Sequence, residues 1–442
     1  MTPRIESATW FGHPRGLATL FFAEMWERFS YYGMRALLIL YMTALSTNGG
    51  LGFDIGKAAA IYGWYTFLVY AVGIPGGLIA DRWLGHFRAV LLGGIVIAMG
   101  HFTLAIPGLV PFYLGLGLIV LGTGLLKPNI STMVGLLYMP SDVRRDGGFS
   151  VYYMGINLGA ALAPLVCGYL GQRIGWHWGF AAAGVGMILG LVQYYLGRRH
   201  LPISPHSSAM SAAKSSANSP DPDSGKLTPT EWKRLGVIAA LFLFAVLFWA
   251  AFEQAGSSLN LFADRYTRLS VFGLEFPSSW FQSLNAVFVL LFAPVFSWLW
   301  VALGPREPSS PVKFVWGLIL VGLGFLLLAP GASFAQAGTG VRISPMWLAG
   351  AYLLHTLGEL CLSPVGLSMV TKLAPLRLVG SVMGIWFLTN AFGNKFGGMI
   401  AGYFERLPLP QLFGAVGAVA IGAGLVLLLF VKPIKNMMGG IK

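Results

Sequence analysis

Twelve apolar runs dominate this sequence, each near the twenty or so residues that carry an α-helix across the hydrocarbon core of a bilayer. They fall at about 17–44, 58–80, 88–107, 111–138, 149–171 and 178–196, then at 235–256, 280–303, 313–330, 346–370, 381–403 and 411–431. Backbone groups in lipid have no water to bond, so such runs predict membrane-spanning helices. The chain is 56% apolar and 10% charged. Soluble domains carry about 25% charged residues, so a soluble enzyme with one anchor is excluded. The net charge of +13 comes from basic residues scattered singly between apolar blocks. That scatter fits the positive-inside rule better than a basic binding face, and no nucleic-acid partner is expected.

Between the sixth and seventh runs, residues 197–233 hold Ser, Pro and Asp with little that is apolar. Such composition buries no core and reads as a flexible cytoplasmic linker. The expected domains are therefore a six-helix bundle over 1–196, the linker 197–233, and a second six-helix bundle over 234–442. With both termini cytoplasmic, the inside loops hold Arg82, Arg88, Arg144, Arg145, Arg198, Arg199, Lys233, Arg234, Lys313, Lys372, Arg377, Lys432 and Lys435. The outside loops hold about six bases: Lys57, Arg173, Arg265, Arg268, Arg342 and Arg406. That bias supports both termini inside. Six helices plus six around a cytoplasmic linker match the major facilitator superfamily, an all-α integral membrane fold whose site lies between two bundles. Residues 1–16 lack a short apolar core, so the first helix is expected to be the insertion signal. Cys167 and Cys361 lie in apolar runs, and neither a structural disulfide nor a metal motif is expected of them.

The first run carries an anomaly. Glu24, Glu27, Arg28, Tyr31 and Arg35 recur at i, i+3, i+4, i+7 and i+11, one face of a helix. An ionised residue at mid-membrane costs about 2.5–3.5 kcal/mol on insertion scales, so the stripe is expected to face protein or a water-filled cavity. Lys127, beside Pro128, Glu253, Glu359 and Lys395 place further charges in later helices. A cavity holding both signs suits a zwitterion and also suits proton coupling, because a carboxylate that gains or loses a basic neighbour changes its proton affinity. Lys395 is as well explained by reaching to an interface.

Other signals are narrower. The loop Gly77-Leu-Ile-Ala-Asp-Arg-Trp-Leu-Gly-His-Phe-Arg88 resembles the facilitator-superfamily loop motif and gives Asp81 and Arg82 a conformational role. His355 and Glu359 share a helix face, but two ligands do not make a metal site. His101 reads as a buried histidine. No nucleophile–base set, metal triad or phosphate-binding glycine loop is present, so the chain is not expected to be an enzyme, and no cofactor is expected beyond the proton as coupling ion.

Glu24-x-x-Glu-Arg-Phe-x-Tyr-Tyr-Gly33 resembles the helix 1 motif of the proton-dependent oligopeptide transporter (POT/PTR) family. Phe149-Ser-Val-Tyr-Tyr-Met-Gly-Ile-Asn-Leu-Gly159 is similar to its helix 5 motif, and Lys127-Pro-Asn129, Glu253-Gln254, Phe281-Gln-Ser-Leu-Asn285 and Gly358-Glu-Leu-x-x-Ser-Pro364 also fit. The resemblance spans about 17–431 and implies a bacterial member that imports di- and tripeptides with protons by alternating access. It implies that Glu24, Glu27, Arg28 and Glu359 couple protons. Arg28 and Lys127 would face the peptide carboxylate, and Glu359, Asn157 and Asn285 its ammonium. Tyr31, Tyr32, Tyr70, Trp249 and Trp386 would line side-chain pockets, with Asn390 where some members have serine. Arg35 with Glu253, and Lys127 with Glu359, resemble the family's gating salt bridges.

Two departures matter. About 35 polar residues between the halves leave no room for the two extra helices of many bacterial members, so twelve helices are predicted. Gly63 stands where animal members carry a proton-handling histidine, which leaves the load to the helix 1 acids. The implied partners are di- and tripeptides, protons and membrane lipid, for a functional monomer in the cell inner membrane. A related carrier for nitrate, a drug or a modified peptide is the alternative.

Overall fold

The computed structural model describes residues 9–139, 142–202, 227–338, 340–375 and 378–439. Residues 203–226, the body of the expected linker, lie outside them, as does Arg377. Twelve long helices are found among the described residues. They are α1 (Arg15–Thr43), α2 (Ile55–Leu84), α3 (His86–Leu104), α4 (Leu109–Leu136), α5 (Arg145–Ile174) and α6 (Trp176–His200). Beyond the linker come α7 (Pro229–Tyr266), α8 (Ser278–Arg306), α9 (Ser310–Gln336), α10 (Met346–Leu373), α11 (Val379–Ala401) and α12 (Leu409–Met437). Each matches one apolar run of the sequence.

Ten of the twelve are long and apolar enough to cross a membrane; α1 and α11 fall short. The reason for α1 is plain in its burial. Leu17, Leu20, Glu27, Met34, Leu37 and Met42 are all fully buried, so the helix is covered by protein nearly all round. A helix that meets little lipid tolerates the acids and bases that lower its hydropathy.

The sequence reading ended the seventh run at 256, yet α7 continues to Tyr266. A break at Ser257 (φ −126°, ψ −95°) precedes the segment Ser258–Tyr266, which is too polar to register as an apolar run. It is buried through Ala263, and the Asn260 amide donates to the Ala36 carbonyl at 2.8 Å. The helix also starts earlier than 235. Thr228 accepts from the Glu231 N–H at 3.2 Å, and the Glu231 carboxylate accepts from the Thr228 N–H at 2.7 Å, with Pro229 in the first turn. That is a capping box, legible in Thr-Pro-Thr-Glu.

The described chain divides into two compact units. One comprises Met1–Arg35 and Ala71–Pro222, and the other Ala36–Tyr70 and Asp223–Lys442. In the first, Leu17, Leu20, Ile97, Ile130, Met133 and Met187 share one core. Gly155 and Gly159 of α5 let that helix lie directly on α1. A Cβ at 155 would stand 3.0 Å from the Phe21 carbonyl, and one at 159 would collide with the Met25 carbonyl. In the second unit, α2 and α11 touch backbone to backbone: a Cβ at Gly398 would come within 2.6 Å of Gly63 Cα. A Cβ at Gly63 itself would stand 3.2 Å from Gly398 Cα and 3.3 Å from the Lys395 carbonyl, so a side chain there is crowded. Lys395, one turn before, sets its ammonium 3.6 Å from the Trp64 ring centroid.

Two hairpins escaped the sequence reading. Thr9–Trp10 pairs with His13–Pro14 across Phe11 and Gly12, both at positive φ (50° and 80°), the geometry of a two-residue hairpin turn. Ser270–Val271 pairs with Leu274–Glu275 across Phe272 and Gly273 in the same way. Phe-Gly is an unusual turn pair, and neither run is long enough to alternate visibly. The first hairpin is tied to the α4–α5 loop. Arg144 donates to the Gly12 carbonyl at 3.1 Å, and His13 Nδ1 lies 3.0 Å from the Tyr138 hydroxyl. Arg144 also grips Asp142 at 2.8 Å, and that side-chain bond holds the Asp142 carboxyl down to about 2. A depressed carboxylate keeps its contribution above the ordinary carboxylate range and loses it only as pH falls through about 2. Arg144→Ala is therefore expected to speed amide hydrogen exchange across residues 9–14 at neutral pH with no change in the unfolding midpoint. Unchanged exchange would mean the hairpin is held by other contacts.

Candidate functional site

In the first unit the stripe of α1 is buried and bonded. Glu24, Glu27 and Arg28 are 2%, 0% and 3% exposed. Arg28 Nε lies 3.1 Å from Glu24 Oε1 and also bonds Glu27 Oε2, so one guanidinium is shared by two carboxylates. The spacing does this: i, i+3 and i+4 bring all three to one face, one turn apart. A buried charge left without a partner is costly, and this trio answers that cost internally.

Neighbouring helices complete the cluster. The Tyr152 hydroxyl of α5 donates to Glu24 Oε2 at 2.8 Å, and Ser131 of α4 lies 3.4 Å from the same hydroxyl. Tyr152, Gly155 and Gly159 recur at i, i+3 and i+7, so one face of α5 both packs on α1 and delivers the phenol. Lys127 of α4 acts electrostatically on Glu27. Pro128 beside it removes a backbone donor from α4 and leaves the Gly124 carbonyl without its usual in-helix bond. Asn157 is buried and bonds the Tyr153 carbonyl at 3.0 Å. Further along α1, the Arg28 guanidinium lies 5.3 Å from the Tyr31 ring centroid and the Arg35 guanidinium 5.8 Å from that of Tyr32. Asp81 and Arg82 are exposed in the last turn of α2, which Gly85 ends at φ 74°. His86, next along, bonds Asn129 of α4 at 2.8 Å and lies 3.8 Å from Asp81.

The second unit holds a smaller acid site. Asn285 of α8 donates to Glu359 of α10 at 2.9 Å and to Thr356 at 3.0 Å. Thr356 in turn donates to the Tyr352 carbonyl at 2.7 Å. Glu253 of α7, 6% exposed, acts electrostatically on Glu359. Trp249 lies between Phe248 and Phe252, at 5.3 and 5.4 Å, and among the described residues its buried indole N–H has no hydrogen-bond partner. Trp386 is 3% exposed and packs on Phe242 and Phe314 at 5.4 and 6.2 Å. The carbonyl of Asn390, whose side chain is partly exposed, accepts from Asn394 at 2.9 Å, and Tyr70 is likewise half-buried. His355 is buried between Gly324 and Phe325 of α9, and among the described residues no group of His, Cys, Asp and Glu could hold a metal ion. Arg35 and Glu253 belong to different units, as do Lys127 and Glu359.

The structure thus gathers Glu24, Glu27, Arg28 and Lys127 in one unit and Asn285, Glu359 and Glu253 in the other. It adds Tyr152, Ser131, Thr356 and Asn260, which the sequence reading left out. Tyr152 was within reach, since it shares the α5 face with Gly155 and Gly159; Thr356 was signalled only by its i, i+3 offset from Glu359.

A family model described as "POT family" matches residues 87–220 and 206–417. A peptide transporter of Yersinia enterocolitica, YePEPT, is 41% identical over 97% of this chain and 96% of its own length. A di-/tripeptide transporter of Lactococcus lactis subsp. cremoris is 39% identical over 98% of each chain. Among solved structures, a point mutant of a peptide transporter POT in complex with alafosfalin superposes with a TM-score of 0.87 at 42% identity, covering 98% of each chain.

Proposed function

The chain belongs to the POT family, and from that membership we propose that it is a proton-coupled symporter importing di- and tripeptides across the bacterial inner membrane by alternating access. It is a transporter of the major facilitator superfamily fold, not an enzyme.

The observation that carries the coupling is the shared guanidinium: two buried carboxylates, Glu24 and Glu27, on Arg28. Protonating one carboxylate releases a share of Arg28 to another anion, and a peptide carboxylate is such an anion. Lys127 lies in the same field and offers the second charge to that carboxylate. Glu359, steadied by Asn285 and Thr356, is suited to a peptide ammonium, and its protonation would release that ammonium. Asn157, Tyr31, Tyr32, Tyr70, Trp249, Trp386 and Asn390 fill the remaining peptide-contacting roles. Arg35 with Glu253, and Lys127 with Glu359, take the gating roles, and Asp81 and Arg82 steady the cytoplasmic loop. A monomer suffices for this cycle. Charges of opposite sign fix the length of a zwitterion while tolerating varied side chains, which suits a promiscuous carrier.

The test is reconstitution. Liposomes holding the purified protein are expected to accumulate labelled dialanine when an inward proton gradient is imposed, with unlabelled dipeptides competing. No gradient-driven uptake and no competition would sink the reading in favour of another substrate.

A further inference from the structure

We propose that a groove between the start of α1 and the end of α6 binds an anionic phospholipid of the phosphatidylglycerol type, with its phosphate on Arg15 and Arg199 and an acyl chain along the apolar wall. The groove lies wholly in the first unit and has a volume of about 460 Å³, within the roughly 300–1,000 Å³ usual for ligand sites.

Its chemistry is one-sided. Arg15, Arg199 and His200 line one end, and the lining contains no acid. Among the described residues neither arginine has an ion pair or hydrogen bond, whereas the adjacent Arg198 lies over the Tyr195 ring at 4.1 Å. The wall below is Phe22, Leu189 and Val192, and Val192 is 52% exposed, as a lipid-facing residue is. A cationic mouth above an exposed apolar wall, at the ends of two membrane helices, complements a headgroup phosphate joined to acyl chains. The Lys and Arg distribution places this end on the cytoplasmic side.

A second observation points to a ligand with a donor. Gln193 is partly exposed and lines the groove, while its Oε1 is turned inward, buried, and among the described residues has no hydrogen-bond partner. Buried acceptors are rarely left so. Turned outward, the Gln193 amide would accept from a headgroup hydroxyl, as in phosphoglycerol, while the phosphate meets the arginines. The groove is also firmly built. Gly16 lies against the His200 carbonyl, and a Cβ at Gly197 would meet the Thr19 side chain, so the two helix ends are seated backbone to side chain.

Native mass spectrometry of the full chain in detergent, with phosphatidylglycerol, phosphatidylcholine or inorganic phosphate added, tests this. The wild type is expected to retain phosphatidylglycerol, which raises its unfolding midpoint. Arg15→Gln with Arg199→Gln is expected to weaken retention at least about tenfold, a loss of about 1.4 kcal/mol. Neither phosphatidylcholine nor free phosphate should substitute. Val192→Trp, which fills the wall and leaves every charge in place, is expected to lose the lipid as well and decides the matter if the double variant does not fold. Retention of phosphatidylglycerol by folded variants, equal retention of phosphatidylcholine, or displacement by free phosphate would each overturn the site.

Discussion

Glu27→Gln is expected to reduce gradient-driven dialanine uptake to background while counterflow exchange survives. Glu27 is fully buried and bonded to Arg28, so the amide keeps the shape and still accepts a hydrogen bond through its carbonyl. What it loses is the proton. A carrier that cannot take up a proton there can still exchange substrate for substrate, because exchange needs no net charge movement. The pH dependence of exchange should flatten in the same variant. Loss of exchange along with uptake would assign Glu27 to binding or folding instead.

The second large effect concerns packing. Gly159→Leu is expected to destabilise the protein by about 1–3 kcal/mol or more, the range for overpacking a filled site, and to abolish transport. Any Cβ at 159 collides with the Met25 carbonyl and stands 3.0 Å from the Phe29 nitrogen. Both are backbone, so no rotamer change relieves them. α5 would have to back away from α1, carrying Tyr152 off Glu24. Gly414→Ala is the control, because a Cβ there meets nothing within 4 Å and the unfolding midpoint should hold. An unchanged midpoint for Gly159→Leu would show that α1 and α5 have slack between them.

The helices were legible because lipid imposes a hydropathy threshold, and each apolar run became a helix. What the sequence hid was polar structure inside protein. Ser258–Tyr266 reads as a loop by composition, yet it is a short helix, buried through Ala263, whose Asn260 bonds Ala36. Hydropathy has no way to tell a polar residue bonded in the interior from one in water. The charge stripe of α1 was readable for the opposite reason: three ionisable groups at i, i+3 and i+4 in an apolar run admit few explanations. The reach of Tyr152 to Glu24 depends on how closely two helices approach, and only the glycines at 155 and 159 encode that.

Charge counting gives the α1 cluster a further consequence. With all four groups ionised, the two negative charges of Glu24 and Glu27 and the two positive ones of Arg28 and Lys127 cancel. On the proposed function, one proton would leave the cluster at plus one, and one peptide carboxylate would return it to zero. Each arrival would then make room for the other, and neither would be held well alone in a medium that penalises net charge. A zwitterionic peptide carries no net charge of its own, so with one proton per cycle each inward cycle would move one positive charge. Import should therefore generate a current, inward in sign, and a membrane potential negative inside should drive accumulation even where the pH is equal on both sides.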